Sequence, residues 1–496
     1  MTIFLIGHDF KYETEATVKL FFPAMRFAFC TEDAPCTGDF IRTVFTEDRI
    51  LVETSLSGVF RRREAPLFPD GDKHAAEHAL CRTLYAHLTE ATGVTPPWGM
   101  LTGIRPVRML TAAVEQGSTL EQAAAHMQQT YLVSEKKLAL AKATARVQLP
   151  LLQGLAPDAI SLYISIPFCP SRCSYCSFVS HSIAEAGELI PAYVDCLCRE
   201  IRIYGDLIRV LHLKLDTVYI GGGTPTAISA QQLAQIMDTL QSCMHLDGIR
   251  EYTVEAGRAD TITREKLEVI RRYGADRISI NPQTLNDVVL HAIGRKHTAQ
   301  QAVDAFQLAR FMGFDNINMD LIAGLPGEHP EEMEDTLRQI KELAPDSLTV
   351  HALAMKHGSR LTRERAASAE KQNYKQMARE LEEMIDMARK AAGEMGLYPY
   401  YLYRQKNIAG NFENVGYAKV DKAGIYNILI MEEKQSIVAA GAGASTKVVL
   451  PYEIPAPGSK NGRMTNLIRI ENVRDVGEYI SRIDEMIERK GEWLWH

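Results

Sequence analysis

Beyond about residue 160, short runs of β-branched and apolar residues alternate with longer stretches whose apolar positions recur every three or four residues. Six of the short runs read as strands: SLYISI at 161–166, LDTVYI at 215–220, EYTVEA at 251–256, DRISIN at 276–281, DNINMDLI at 315–322 and DSLTVHA at 346–352. The stretches between them, at 188–207, 229–243, 262–273, 284–312 and 330–343, carry the helical period. This alternation is the pattern of consecutive βα units around a parallel sheet. Right-handed crossovers wind six such units into a partial (β/α)6 barrel, which makes the fold class α/β.

The pattern differs on either side of this core, which is placed at 160–358. Residues 1–150 read as a separate α+β domain, with strands expected near TIFLIG, ATVKLFF and RILVETSL and helices around 74–91 and 119–147. The segment GVTPPWGMLTGIRPVRML, rich in turn formers and carrying Arg105 and Arg108, reads as a surface turn. Residues 359–496 form a C-terminal α+β region that opens on a long helical stretch ending at Gly396, a glycine suited to a C-cap. Met377, Met384 and Met387 fall at near-helical spacing there and read as core. LYPYYLYRQKNIAGNFENVGYA and IVAAGAGASTKVV follow, then an amphipathic helix near 473–489.

Composition narrows the function classes. At roughly 150 residues per domain, 496 residues suggest about three domains. A net charge of -7 and a pI of about 6.1 argue against an extended nucleic-acid surface, which draws on clustered Lys and Arg. MTIFLIGHDFKYETEA lacks a basic leader and reads as a first strand. No run of about 18 apolar residues occurs, so no membrane span is expected. The expected location is the cytoplasm. Of nine cysteines, Cys30, Cys36, Cys81, Cys196, Cys198 and Cys243 are scattered without framework spacing and read as small core hydrophobes. Cys169, Cys173 and Cys176 crowd into eight residues.

In a parallel barrel the loops after the strands converge on one face, so chemistry belongs there. The unusual residues collect at those ends. The three-cysteine loop follows the first strand and GGGTPT the second; Glu255 lies within the third, and NPQ with Gln283 follows the fourth. Asp320 with AGLPGE closes the fifth, His351 and Ala354 the sixth. Three soft thiolates spaced C-x3-C-x2-C select Zn, Cu(I) or an iron–sulfur cluster. A structural zinc site wants four ligands, and His181 is the nearest fourth candidate. A four-iron cubane held by three thiolates leaves one iron open to a ligand, which suits a loop without a local fourth cysteine.

YISIPFC, YCSF, VYIGGGTPT, INPQTLND with Arg295, and NMDLIAGLPGE together resemble the radical S-adenosylmethionine superfamily, and within it the oxygen-independent coproporphyrinogen III oxidase (dehydrogenase) family with its haem-chaperone relatives. The resemblance spans about 160–355, continues more weakly to about 447, and the whole layout is similar to a longer dehydrogenase-like branch. It implies a radical S-adenosylmethionine barrel whose 4Fe-4S cluster is held by Cys169, Cys173 and Cys176 as the catalytic metal ligands. It further implies one or two S-adenosylmethionine molecules met by Tyr163, Gly222, Gly223, Thr224, Glu255, Gln283, Arg295, Asp320 and Ala354. Glycines admit close backbone approach, carboxylates suit ribose hydroxyls or ammonium charge, and arginine clamps a carboxylate.

The implied reaction removes hydrogen from a substrate propionate and then CO2 and one electron, leaving vinyl groups and converting coproporphyrinogen III to protoporphyrinogen IX. A reductive electron donor such as flavodoxin or ferredoxin is implied with it. The tetrapyrrole is an apolar macrocycle rimmed by carboxylates. YPYYLYRQKN offers Tyr398, Tyr400, Tyr401, Tyr403, Arg404 and Lys406 as contacts within a substrate-covering C-terminal region, or else is a strand packing under the barrel. Phe178 stands where the better-known dehydrogenases have a fourth cysteine, and Ser165 where they have a histidine. A haem-binding and delivery protein, or a radical enzyme acting on another tetrapyrrole or on an RNA base, are the alternatives.

Overall fold

A computed structural model describes residues 1–496 other than 24, 68–71, 104, 179, 354–373, 405–411, 458, 460–463 and 495–496. Ala354 and Lys406 therefore lie outside the described residues. The chain divides into two compact units, residues 1–142 with 404–413 and residues 143–403 with 414–496.

The first unit is built on five strands: β1 (Thr2–Ile6), β2 (Ala28–Cys30), β3 (Phe40–Phe45), β4 (Arg49–Leu56) and β5 (Val59–Pro66), in the order β2-β1-β3-β4-β5. β1 runs parallel to both neighbours, and β3, β4 and β5 form an antiparallel meander. Alternation along β4 sends Ile50 and Val52 into a core with Ile3, Leu5, Ile41, Leu80, Leu84 and Leu88. The last three come from the helix Lys73–Thr92, which Asp72 caps and Gly93 ends in the left-handed conformation.

Two expectations for this unit are corrected. ATVKLFF is not a strand: it continues the helix Lys11–Lys19, whose buried Thr14, Thr17 and Val18 recur at helical spacing that begins upstream of the apolar run. The stretch containing Arg105 and Arg108 is not a surface turn throughout. Pro106 starts a helix, Pro106–Glu115, at the position where a missing N–H matters least, and Val107 and Leu110 are buried along it.

The second unit carries an eleven-stranded sheet. Six strands, β6 (Ala159–Ile166), β9 (Lys214–Gly222), β10 (Glu251–Gly257), β11 (Arg277–Gln283), β12 (Ile317–Ala323) and β13 (Ser347–Ala352), pair in parallel and in chain order. This is the expected partial (β/α)6 barrel. Buried residues run almost without interruption along β10, β11 and β12, as strands covered on both faces require. β7 (Phe168–Cys169) and β8 (His181–Ser182) form a two-residue parallel ladder apart from this sheet.

The remaining strands, β14 (Tyr398–Arg404), β15 (Glu413–Ala418), β16 (Ser436–Ala440), β17 (Ser445–Pro455) and β18 (Met464–Glu471), extend the sheet at both margins. β15 lies antiparallel on β13, with β14 beyond it. β16 lies parallel to β6, with β17 and β18 antiparallel beyond. The helical period read over 284–312 is two helices, Asp287–Ala292 and Ala299–Phe311; Gly294 at φ +81° breaks it and a Thr298/Gln301 capping box restarts it. Among the described residues no helix is long and apolar enough to cross a membrane.

Candidate functional site

The apolar strand β6 ends at Ile166, and the chain turns through Pro167 into the three-cysteine loop. The ladder of Phe168 with His181 and Cys169 with Ser182 pinches that loop at its base. Inside it the Cys176 N–H donates to the Cys173 carbonyl at 3.2 Å, and Ser174 N–H reaches across to the Ile293 carbonyl at 3.0 Å. Cys173 is buried; Cys169 and Cys176 are partly so. Burial pushes the Cys169 and Cys176 thiols up, so a metal bound there must displace their protons. Among the described residues no three His, Cys, Asp or Glu side chains are gathered around one point as a single ion requires. Three soft thiols on one loop are the donor set of a thiophilic metal or an iron–sulfur cluster.

The glycine-rich turn after β9 packs on the base of this loop. Gly223 N–H donates to the Ile166 carbonyl at 2.9 Å and Thr224 N–H to the Phe168 carbonyl at 2.8 Å, while Thr224 Oγ1 lies 3.5 Å from Cys169 Sγ. A Cβ on Gly223 would stand 2.7 Å from the Phe168 carbonyl oxygen, and Gly222 sits at φ +113°. Only glycine lets the second strand's end approach the first so closely. The donor set and this cradle fit a thiolate-held cluster with an organic ligand beside it.

One strand further on, Glu255 accepts a 2.5 Å bond from Tyr219 OH. Burial, with the Asp320 charge adding to it, pushes the Glu255 carboxyl up to about 7, although the Tyr219 bond opposes the rise. Tyr163 stacks on Tyr426 and Tyr219 with ring centres 6.0 and 6.2 Å away, and burial raises its phenol further. Gln283 adopts φ +71° where the β11 register shifts, and its buried Oε1 has no hydrogen-bond partner. A non-glycine residue held in the left-handed region with an unsatisfied amide oxygen marks stored strain.

Arg295 donates to the Asn281 carbonyl at 2.5 Å and to Tyr175 OH at 3.3 Å. Burial alone would lower it, but the Tyr175 hydroxyl and Cys173 thiol hold its guanidinium above the usual arginine range. Asp320 accepts from Asn318 Nδ2 at 2.7 Å and faces His351 Nε2 at 3.9 Å. Burial works to raise this carboxyl, but His351 and Asn318 outweigh it and hold it below the usual range. His351 Nδ1 in turn lies 3.4 Å from Tyr403 OH.

The tyrosine run divides. Tyr400 and Tyr401 are buried in an apolar cluster with Leu152, Ala418, Ile428 and Leu429, and Gly416 makes room for the Tyr401 ring, which a Cβ would approach to 2.0 Å. Tyr403 is half-buried beside His351, and Tyr398 is exposed. Arg404 is buried in the first unit, donating to the Leu101 and Gly103 carbonyls at 2.5 and 3.3 Å and lying over the Trp98 ring. Burial pulls its guanidinium down to about 10.

Residues 163–340 match the Radical SAM superfamily. The oxygen-independent coproporphyrinogen-III oxidase-like protein HemZ of Bacillus subtilis is 38% identical over 459 residues, 90% of this chain and 88% of HemZ. The chain belongs to the oxygen-independent coproporphyrinogen-III oxidase-like family. The heme chaperone HemW of Lactococcus lactis is 35% identical over 39% of this chain and 49% of its own length. The coproporphyrinogen III oxidase HemN of Escherichia coli shares the fold, with a TM-score of 0.50 and 20% identity over 68% of this chain and 73% of HemN.

For this member of the family, two departures have visible settings. Ser165 is buried and donates to the Ala442 carbonyl at 3.0 Å, and a Cβ on Gly441 would stand only 2.5 Å from the Ser165 carbonyl oxygen. The turn at 441–444 therefore packs directly on Ser165. Phe178 is 67% exposed at the end of the cysteine loop. Sequence reasoning did not assign that turn to the site. The GAGA repeat was the available signal, but only the parallel pairing of β16 with β6 brings it to the same strand ends. Arg258, which grips the cysteine loop at Ser171 and is itself held by Asp260, was also missed; Ser171 lies 87 positions upstream of it.

Proposed function

We propose that this protein is a radical S-adenosylmethionine enzyme that decarboxylates coproporphyrinogen III propionates to vinyl groups without oxygen. The observation that carries this reading is the seam between the cysteine loop and the glycine turn, with Thr224 bonded to Phe168 and beside Cys169. Cys169, Cys173 and Cys176 would hold the 4Fe-4S cluster. Gly222, Gly223 and Thr224 would present backbone groups to the methionine end of S-adenosylmethionine, with Tyr163, Glu255, Gln283, Arg295 and Asp320 around the rest. When bound, this pair supplies the one-electron cleavage that yields a carbon radical able to take hydrogen from an unactivated carbon.

The chain's own groups do the rest. Arg295, charged and buried, is suited to clamp a carboxylate. Glu255, whose carboxyl titrates near 7, is suited to hydrogen-bond hydroxyls in either protonation state. The unsatisfied Gln283 oxygen is suited to an N–H or O–H donor. Of the tyrosine run we assign Tyr403, with His351 behind it, to the substrate carboxylate side. A flavodoxin or ferredoxin is the class of donor that matches the electron demand. The similarity to HemZ over most of both chains favours turnover. The HemW likeness over the core, with Phe178 in place of a fourth cysteine, favours the second reading, haem binding and delivery.

Anaerobic incubation of reconstituted protein with dithionite, S-adenosylmethionine and coproporphyrinogen III, followed by mass analysis of the tetrapyrrole, decides between them. Loss of two carboxyl carbons is expected. Intact propionates together with stoichiometric haem binding would instead establish the second reading.

A further inference from the structure

Arg258 directly follows β10, whose last residue, Gly257, turns the chain at φ +63°. Its guanidinium is 3% exposed and fully engaged. Nη1 donates to both the carbonyl and the hydroxyl oxygen of Ser171, each at 3.0 Å, while Nε and Nη2 form a fork on Asp260 at 3.0 and 2.8 Å. Ser171 is the midpoint of the segment from Cys169 to Cys173. The buried His297 lies beside Asp260, with Nδ1 3.6 Å from Oδ1.

The loop is also stitched to the turn between the helices Asp287–Ala292 and Ala299–Phe311. Ser171 Oγ donates to the Gly294 carbonyl at 3.3 Å, and Ser174 N–H to Ile293. Gly294 lies 3.7 Å, measured from where its Cβ would stand, from the Arg172 carbonyl. A loop of this length gains little from its own packing, so these tethers decide its shape. A bidentate pair whose remaining donors all meet one residue is a rigid support rather than a surface ion pair.

We propose that Arg258, braced by Asp260, is a positioning residue that holds the cysteine loop in its ligating shape before metal arrives and keeps a fixed positive charge beside the thiolates afterwards. The second half rests on the reading that these cysteines hold a 4Fe-4S cluster. A three-thiolate cluster gains one negative charge on reduction, so a nearby buried cation favours the reduced state and raises the midpoint potential.

The test uses the full chain with Arg258→Met and Arg258→Lys. In cluster-free protein, trypsin cleaves after the exposed Arg172 only when the loop opens. Arg258→Met should accelerate that cleavage at least tenfold and Arg258→Lys, which keeps the charge but not the fork, at least threefold. After reconstitution, Arg258→Met should lose iron to a chelator at least tenfold faster and show a more negative midpoint potential by EPR-monitored titration, with Arg258→Lys retaining the wild-type potential. Wild-type cleavage and iron-loss rates in Arg258→Met overturn the proposal. If that variant does not fold, wild-type rates in Arg258→Lys overturn it. If the wild type takes up no cluster while cleavage still accelerates, the loop-holding half stands and the cluster reading falls.

Discussion

Glu255→Gln should change the protein's pH dependence more than its structure. In the folded chain the carboxyl titrates near 7 rather than 4.5, because burial and the Asp320 charge disfavour its ionised form. The folded state therefore binds more protons than the unfolded state between these values. Its stability from this group is full below about pH 4.5 and falls as pH rises through about 7. A displacement of this size is worth about 3.4 kcal/mol at 1.36 kcal/mol per unit. Residual access of the barrel mouth to solvent trims that to about 2 kcal/mol. Glutamine keeps the shape and the acceptor for Tyr219 OH but cannot ionise. Urea denaturation of cluster-free wild type and variant at pH 4.5 and pH 8 measures the difference directly. The variant should gain about 2 kcal/mol on the wild type between the two pH values. A difference that does not change with pH would refute the assignment of a raised, buried carboxyl. Saturating S-adenosylmethionine should shrink the swing if Glu255 meets its hydroxyls.

Two further outcomes follow from the packing. Lys490→Met leaves Glu200 buried without its charge partner, although Tyr204, Tyr479, Asn472 and the Gly441 N–H still donate to it. Breaking such a pair costs about 3–5 kcal/mol, so thermal unfolding should move down by roughly 5–10 °C, checked by calorimetry. Gly223→Ala drives a methyl against the Phe168 carbonyl and should weaken S-adenosylmethionine binding at least tenfold by equilibrium dialysis while far-ultraviolet circular dichroism is unchanged.

Much of the second unit was legible because its strands are short, β-branched and bounded by turn residues, and because buried parallel strands leave near-continuous apolar runs. The cysteine loop and the glycine turn were legible as spacing. ATVKLFF misled because an apolar window alone cannot show that its period began at Thr14. The 284–312 stretch misled because a capping box restarts the same period after Gly294. Arg258 and the 441–444 turn escaped for one common reason. Each acts through a partner far away in sequence, and periodicity carries no information about which strand ends meet.

The parallel pairing of β16 with β6 has a consequence for how the protein is made. Ser161 on β6 meets Gln435 across 274 positions of chain. At about 5–20 residues per second, roughly 14–55 s of synthesis separate the emergence of Ser161 on β6 from that of its partner Gln435. During that interval β6 presents an open edge able to pair with another chain.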